Sequence, residues 1–173
     1  MTPKPWIKHY PSEVSPELEL VTMSHLPDLI KESSQKYAKS TAFTQVMPNG
    51  MNGSLSYEQI DGYSNDFAAY LRDVLGLSQG ARVAVQMPNC LAYPIVAFGV
   101  LKAGCVLVNT NPLYTAPEMI HQYSDSGAET LVVMDIFADR LEEVVSKTAI
   151  KTVVTVKISE FFPKVVGGVI RGV

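Results

Sequence analysis

A chain of 173 residues with 47% apolar and 18% charged side chains is long enough for one domain with a real core, and too apolar to be disordered. By size alone it should bury about 70% of its unfolded surface. A net charge of −3, spread thinly, gives no electrostatic support for binding nucleic acid, and the two cysteines, Cys90 and Cys105, lie in apolar segments that suit inert free thiols in a reducing cytoplasm.

Residues 1–22 carry Pro3, Pro5, Pro11 and Pro16 without periodicity, which predicts an extended arm. The same prolines, with His9, interrupt any apolar run, so the opening does not read as a signal peptide. A helix is expected from a Ser24 cap to about Ala38, with Asp28 in its first turn and Leu26, Leu29, Ile30 and Tyr37 at helical spacing. Thr41 to Val46 reads as a strand. Asn49-Gly50 and Asn52-Gly53 supply turn chemistry into a second strand near Ser54 to Ser56, giving a hairpin. A helix follows from Tyr57 to about Leu75, with Ile60, Tyr63, Phe67, Ala68 and Leu71 as its apolar stripe and Gly76 as its stop.

From Arg82 short apolar runs alternate with helical segments: Val83 to Met87, Cys90 to Ala103, Cys105 to Asn109, Ala116 to Ser126, Thr130 to Met134, Ile136 to Lys147 and Thr152 to Val156. Strands written as continuous Val/Leu/Ile runs are covered on both faces, so the expected fold is α/β, a doubly wound and mostly parallel sheet over residues 23–158 preceded by the hairpin and helices. The apolar stretch from Cys90 to Val108 is broken by Pro94, Gly99, Lys102 and Gly104 and reads as a buried helix and strand, not a membrane span.

Residues 159–173 differ in kind. Phe161, Phe162, Val165, Val166, Val169 and Ile170 fill one side of a helical wheel, opposite Lys164 and Arg171. Gly167 and Gly168 each cost such a helix about 1 kcal/mol relative to Ala, so it needs a partner. With the sheet ending near Lys157, this apolar face is expected to lie unpaired, and two partners compete for it: further chain beyond Val173, favoured by the lack of a cap, or a membrane surface.

In an open parallel sheet, ligands bind beyond the carboxyl ends of the strands. The loop there that is densest in hydrogen-bonding groups is Asn109-Thr-Asn-Pro-Leu-Tyr-Thr115, and Asn109, Asn111, Tyr114 and Thr115 are its candidate pocket-wall or interface residues. A purely structural reading stands beside that one: Asx turns at Asn109 and Asn111, and a capping box between Thr115 and Glu118. The turn after Val83 to Met87 is Pro-Asn-Cys-Leu-Ala, without the glycines a dinucleotide pyrophosphate requires, and Asn89 reads as a helix cap. His9, His25 and His121 are isolated, so no metal site is expected. Ser124-Asp125-Ser126 lacks the base of a triad and reads as a helix end before Gly127.

Three blocks and two flanking segments carry a family likeness. These are Leu55-Ser-Tyr-Glu-Gln-Ile60, Gly80 to Asn89 with its Arg82-Val-Ala-Val-Gln-Met-Pro-Asn89, Phe98-Gly-Val-Leu-Lys-Ala-Gly-Cys-Val-Leu-Val-Asn-Thr-Asn-Pro-Leu-Tyr-Thr115, Asp125-Ser-Gly-Ala-Glu129, and the opening Trp6-Ile-Lys-His-Tyr-Pro-Ser-Glu-Val14. In this order, over about residues 4–158, they resemble the N-terminal part of acyl-adenylate-forming ligases, and within them the bacterial long-chain fatty acid–CoA ligases. Met47 to Gly53 makes a longer hairpin than in those relatives.

The resemblance implies a full-length enzyme that uses ATP, Mg²⁺ and CoA to turn a long-chain fatty acid into acyl-AMP and then acyl-CoA. It also implies that the family's phosphate loop, metal ligands and catalytic lysine lie outside this sequence, which holds no Thr/Ser/Gly-rich loop closing on Lys-Gly. This chain alone is therefore expected to be a truncated front end, inactive and without a cofactor. Its expected partners are the remainder of the ligase, a second copy through N-terminal surfaces, and peripheral contact with the inner membrane through the tail. The alternative is a stand-alone, non-catalytic binding or scaffold module derived from the ligase front end.

Overall fold

In the computed structural model, residues 4–17 and 24–171 are described, without the side chains of residues 165 and 169–171. Where an extended arm is expected, Pro5–His9 instead form a 3-10 turn with a proline in its first turn, and residues 18–22 of the predicted arm lie outside the described residues. Helix α1 (Leu26–Lys36) begins two residues after Ser24. His25 takes the capping position without a side-chain bond, and Pro27 sits in the first turn. Strands β1 (Thr41–Val46) and β2 (Asn52–Ser56) pair antiparallel as the turn residues predict.

Helix α2 (Tyr57–Ala69) opens with a capping box: Gln59 N–H donates to Ser56 Oγ at 3.2 Å, and Ser56 N–H donates to Gln59 Oε1 at 2.9 Å. It does not run on to Leu75 as α-helix, because Tyr70–Val74 widen into a π turn before Gly76 at φ +65°. Of the predicted stripe, Ile60, Ala68 and Leu71 are buried, whereas Tyr63 is exposed and rests against Phe161, its ring centroid 5.4 Å away.

Strands β3 (Arg82–Gln86), β4 (Val106–Thr110), β5 (Thr130–Met134) and β6 (Thr152–Val156) form a wholly parallel sheet in the order β4-β3-β5-β6. Between them lie α3 (Ala92–Lys102), α4 (Ala116–Ser126) and α5 (Leu141–Ser146). The segment predicted as one helix from Ile136 to Lys147 divides into a 3-10 turn at Asp135–Arg140 and the short α5. Successive β3 side chains point to opposite faces. Val83 and Val85 join Val132 and Met134 of β5 under Ala68, Leu71, Val96 and Val100, while Ala84 joins Leu131 and Val133 under Met119, Tyr123 and Val144. The sheet is doubly wound because β3 and β5 are apolar on both sides.

Asn89 does not cap α3. Leu91 occupies that position, and its N–H is satisfied from outside the helix by Gln45 Oε1 of the hairpin at 3.0 Å. Pro94 falls in the first turn, where its missing N–H costs nothing.

Helices α2 and α3 pack closely because Gly99 has no side chain. A Cβ there would lie 2.7 Å from Phe67 Cδ1 and 3.1 Å from the Ser64 carbonyl oxygen. One turn on, the largely buried Lys102 ammonium donates to Asp61 Oδ1 at 2.7 Å, Ser64 Oγ at 2.8 Å, Asn65 Oδ1 at 2.8 Å and the Asp61 carbonyl at 3.2 Å. A charge taken out of water is tolerable when its donors are saturated in this way.

Part of the apolar face that the sequence leaves unpaired is covered within the chain. Phe162 is 7% exposed and packs with Leu55, Ile60, Leu91 and Ile95, and Phe161 and Val166 border the same cluster. Gly53 makes room for it, since a Cβ there would lie 2.9 Å from Phe162 Cδ1. Helix α6 (Lys164–Arg171) is thus led in by a residue seated between the hairpin and α3. The predicted contacts of Val165, Val169 and Ile170 lie outside the described side chains.

Replacing Lys102 by Met should strand Asp61 and cost about 2 kcal/mol, lowering the thermal midpoint by roughly 4–8 °C for a chain this size. Gly99→Ala should also destabilise, through the fixed Ser64 carbonyl. Calorimetry showing both variants within 1 °C of the parent chain would contradict this account of the α2–α3 contact.

Candidate functional site

The chain leaves β3 and β4 in opposite directions. The loop after β3 leads into α3 on one face of the sheet, and the loop after β4 leads into α4 on the other. In a sheet of this order the chain moves outward from β3 to β4 and then back across to β5, so the topological switch point at which open α/β sheets bind ligands lies beyond the carboxyl ends of β3 and β5, with the loop after β4 beside it. Residues 87–91 after β3 and the 109–115 loop singled out by its composition both lie at this carboxyl edge.

Buried polar groups surround it. Gln86 and Thr110 are paired in register at the carboxyl ends of β3 and β4, 1% and 4% exposed. Tyr93, from the first turn of α3, reaches across the opening, and its hydroxyl donates to Asn109 Oδ1 at 2.9 Å. Gln122 Nε2 of α4 donates to the Asn109 carbonyl at 2.8 Å, Gln86 Nε2 lies 3.5 Å from the Asn111 carbonyl, and Arg140 Nη1 donates to the Tyr114 carbonyl at 2.6 Å. Three loop carbonyls thus receive side-chain N–H groups from three separate elements.

The four candidate residues divide between roles. Asn111 forms the expected Asx turn, its Oδ1 accepting from Leu113 N–H at 3.0 Å. Thr115 makes the expected box, its N–H and hydroxyl donating to Glu118 Oε2 at 2.8 and 2.7 Å. Asn109 forms no predicted turn of its own; its side chain is engaged by Tyr93. Tyr114 is tied through its backbone, and Leu113 at the loop tip is 77% exposed. Gln86, Tyr93, Gln122 and Arg140 are the side chains holding the candidate loop that composition did not mark. Gln86 could have been found, as an amide closing the apolar run that begins at Val83, whereas Tyr93 and Arg140 act over 16 and 26 residues and leave no local signal.

The Thr115 hydroxyl and then its N–H hold the Glu118 carboxyl below the usual glutamate range. Burial pushes the Tyr123 phenol up to about 12, with the neighbouring Thr110 hydroxyl opposing the shift, so Tyr123 stays a neutral donor, its hydroxyl 3.5 Å from Gln86 Oε1. Burial likewise raises the Cys90 and Cys105 thiols, which leaves them poor nucleophiles. Ser124, Asp125 and Ser126 close α4, and Gly127 at φ +63° ends it.

Among the described residues no three His, Cys, Asp or Glu side chains converge on a metal position. The loops at this edge also lack the consecutive glycines and hydroxyls that cradle phosphates. Mg²⁺ and the phosphates of ATP therefore do not fit the groups described, and no step of nucleotide chemistry is assigned to them. None of the described helices is long and apolar enough to cross a membrane.

A depressed carboxyl favours the folded state above the ordinary glutamate pKa, and that contribution is lost as pH falls through the lowered value. Thr115→Val should bring the Glu118 titration back up toward the ordinary glutamate value, followed by carboxyl chemical shift. An unchanged Glu118 midpoint in that variant would contradict the box as the cause.

The fold recurs in known proteins. The model of the AMP-binding enzyme family matches residues 30–166. Long-chain-fatty-acid–CoA ligases of Escherichia coli O6:H1 and Yersinia pestis are 39% and 41% identical over 97% and 91% of this chain, which spans 29% and 27% of their lengths. The crystal structure of a long-chain-fatty-acid–CoA ligase from Archaeoglobus fulgidus superposes with a TM-score of 0.73 at 25% identity, covering 84% of this chain and 31% of that one. A benzoate CoA ligase from Burkholderia xenovorans, at 18% identity and a TM-score of 0.69, shares the fold. With more than half of its length matched by the family model, and with the same α/β architecture, the chain belongs to the AMP-binding enzyme family.

Proposed function

We propose that this chain serves a long-chain fatty acid–CoA ligase, as the portion that carries this switch point. In the reaction of such a ligase, a fatty acid carboxylate displaces pyrophosphate from ATP with the help of Mg²⁺, and the CoA thiol then displaces AMP from the acyl-adenylate. Supporting this reading is the match at about 40% identity along nearly the whole chain, to ligases more than three times its length. The loop after β4 would form one wall of the ligase's ligand space, with Asn109, Asn111 and Tyr114 in the wall and Thr115 fixing its shape. Leu113 would meet the groups opposite.

The same reading assigns nucleotide, metal and acyl-transfer chemistry to residues outside this sequence and places the protein in the cytoplasm. The seated Phe162 supports further ligase chain, over a lipid surface, as the neighbour of α6.

The test joins residues 1–158 to the remainder of the E. coli O6:H1 relative. The chimera should release pyrophosphate only with fatty acid present, and Tyr114→Ala should lower its turnover more than its thermal midpoint. The 173-residue chain alone should stay at the no-enzyme level. Fatty-acid-dependent pyrophosphate release by the isolated chain would overturn the division of chemistry. A folded but inactive chimera would favour a stand-alone binding module.

A further inference from the structure

Arg140 lies far from the candidate loop in sequence, at the junction of the 3-10 turn after β5 and helix α5. Its guanidinium nevertheless makes the shortest of the bonds that hold the loop after β4, with Nη1 2.6 Å from the Tyr114 carbonyl. Its ion pair is with its own neighbour Asp139, at 3.6 Å and with both side chains substantially exposed, a contact worth little in water. The geometry thus favours the carbonyl as the main recipient of this cation.

The bond falls at the junction of two local motifs. Asn111 Oδ1 closes the turn onto Leu113 N–H, and the Thr115–Glu118 box fixes the start of α4. Here Tyr114 N–H donates to the Asn111 carbonyl, 3.1 Å away, and the Tyr114 carbonyl, whose peptide plane also carries the Thr115 N–H bonded to Glu118, accepts from Arg140. Losing that donor leaves this plane held by the Thr115–Glu118 box alone.

We propose that Arg140 is a positioning residue, which sets the Leu113–Tyr114 segment against the reactants and couples the carboxyl-end loops of β4 and β5. Insofar as it concerns a reaction, this rests on the ligase reading above. The loop conformation itself does not. Arginine suits the task, because its fixed fork presents a directed N–H whereas a lysine ammonium is a mobile point charge. Through Arg140, a displacement of the loop after β5 would reach the loop after β4 without touching the strands.

The first arm uses the 173-residue chain and amide exchange by NMR. In Arg140→Met, the Tyr114 and Thr115 amides, which flank the freed carbonyl, should exchange about tenfold faster, the scale of losing one charge-assisted hydrogen bond, with β4 and β5 amides unchanged. Arg140→Lys should recover part of that protection and keeps the test open if the Met variant does not fold. Unchanged loop amides in Arg140→Met, or acceleration spread equally over β4 and β5, would overturn the brace.

The second arm places the same substitutions in the chimeric ligase. A positioning role predicts a fall of about tenfold in kcat/KM, concentrated in the KM of one reactant, at an unchanged thermal midpoint and partly restored by Lys. Faster loop exchange with kcat/KM unchanged for fatty acid, ATP and CoA would overturn the positioning role. An inactive parent chimera would count against the ligase reading, while the exchange result would still decide whether Arg140 holds the loop.

Discussion

The arrangement at the carboxyl edge depends on β3 lying between β4 and β5 while the chain leaves β3 and β4 toward opposite faces. Two-sided burial demands it. Ala84 and Val85 point to opposite cores, so each face needs its own helices, and the crossover from β4 to β5 must pass over β3. The divergence of adjacent loops is then a geometric consequence that needs no special residue. What the particular residues add is rigidity: Tyr93 bridges the opening, and Gln86, Gln122 and Arg140 hold the carbonyls of one wall. A wall fixed before a ligand arrives spares that ligand the entropy of ordering it.

A second constraint joins the front elements to the sheet. The Gly99 approach and the Lys102 cluster lock α2 against α3, and α3 roofs one face of the sheet. The hairpin is anchored through Gln45, which satisfies Leu91 N–H at the start of the same helix, and through Phe162, which fills the gap above Gly53. Helix α3 therefore touches the hairpin at its beginning and α2 along its length. Tyr93, in its first turn, is positioned by the same packing that seats the tail.

Much of this was legible in the sequence wherever a signal was local. Continuous apolar runs gave the strands of the parallel sheet nearly to the residue, and the Thr115–Glu118 spacing gave the box that opens α4. Legibility failed where the deciding partner was distant. Asn89 looked like a cap because nothing nearby shows that Gln45 supplies the acceptor. The Ile136 to Lys147 segment kept helical periodicity although its first half tightened into a 3-10 turn, whose end places Arg140 beside Tyr114. The tail read as an unpaired face because the pocket for Phe162 is made by Gly53, Leu55, Ile60 and Leu91, none of them its neighbour in sequence. At the candidate site, composition found the loop but not the side chains that hold it.

The central claim is that the loop after β4, at the carboxyl edge beside the β3/β5 switch point, is the ligand-facing part of this chain. Its most direct test is thiol footprinting of the chimeric ligase with Cys placed at Leu113, at the tip of the loop, or at Val46, a 67% exposed position on the hairpin. Adding fatty acid, ATP and CoA should slow alkylation at position 113 and leave position 46 unchanged. Equal alkylation at position 113 with and without the reactants, in an active chimera, would contradict that assignment.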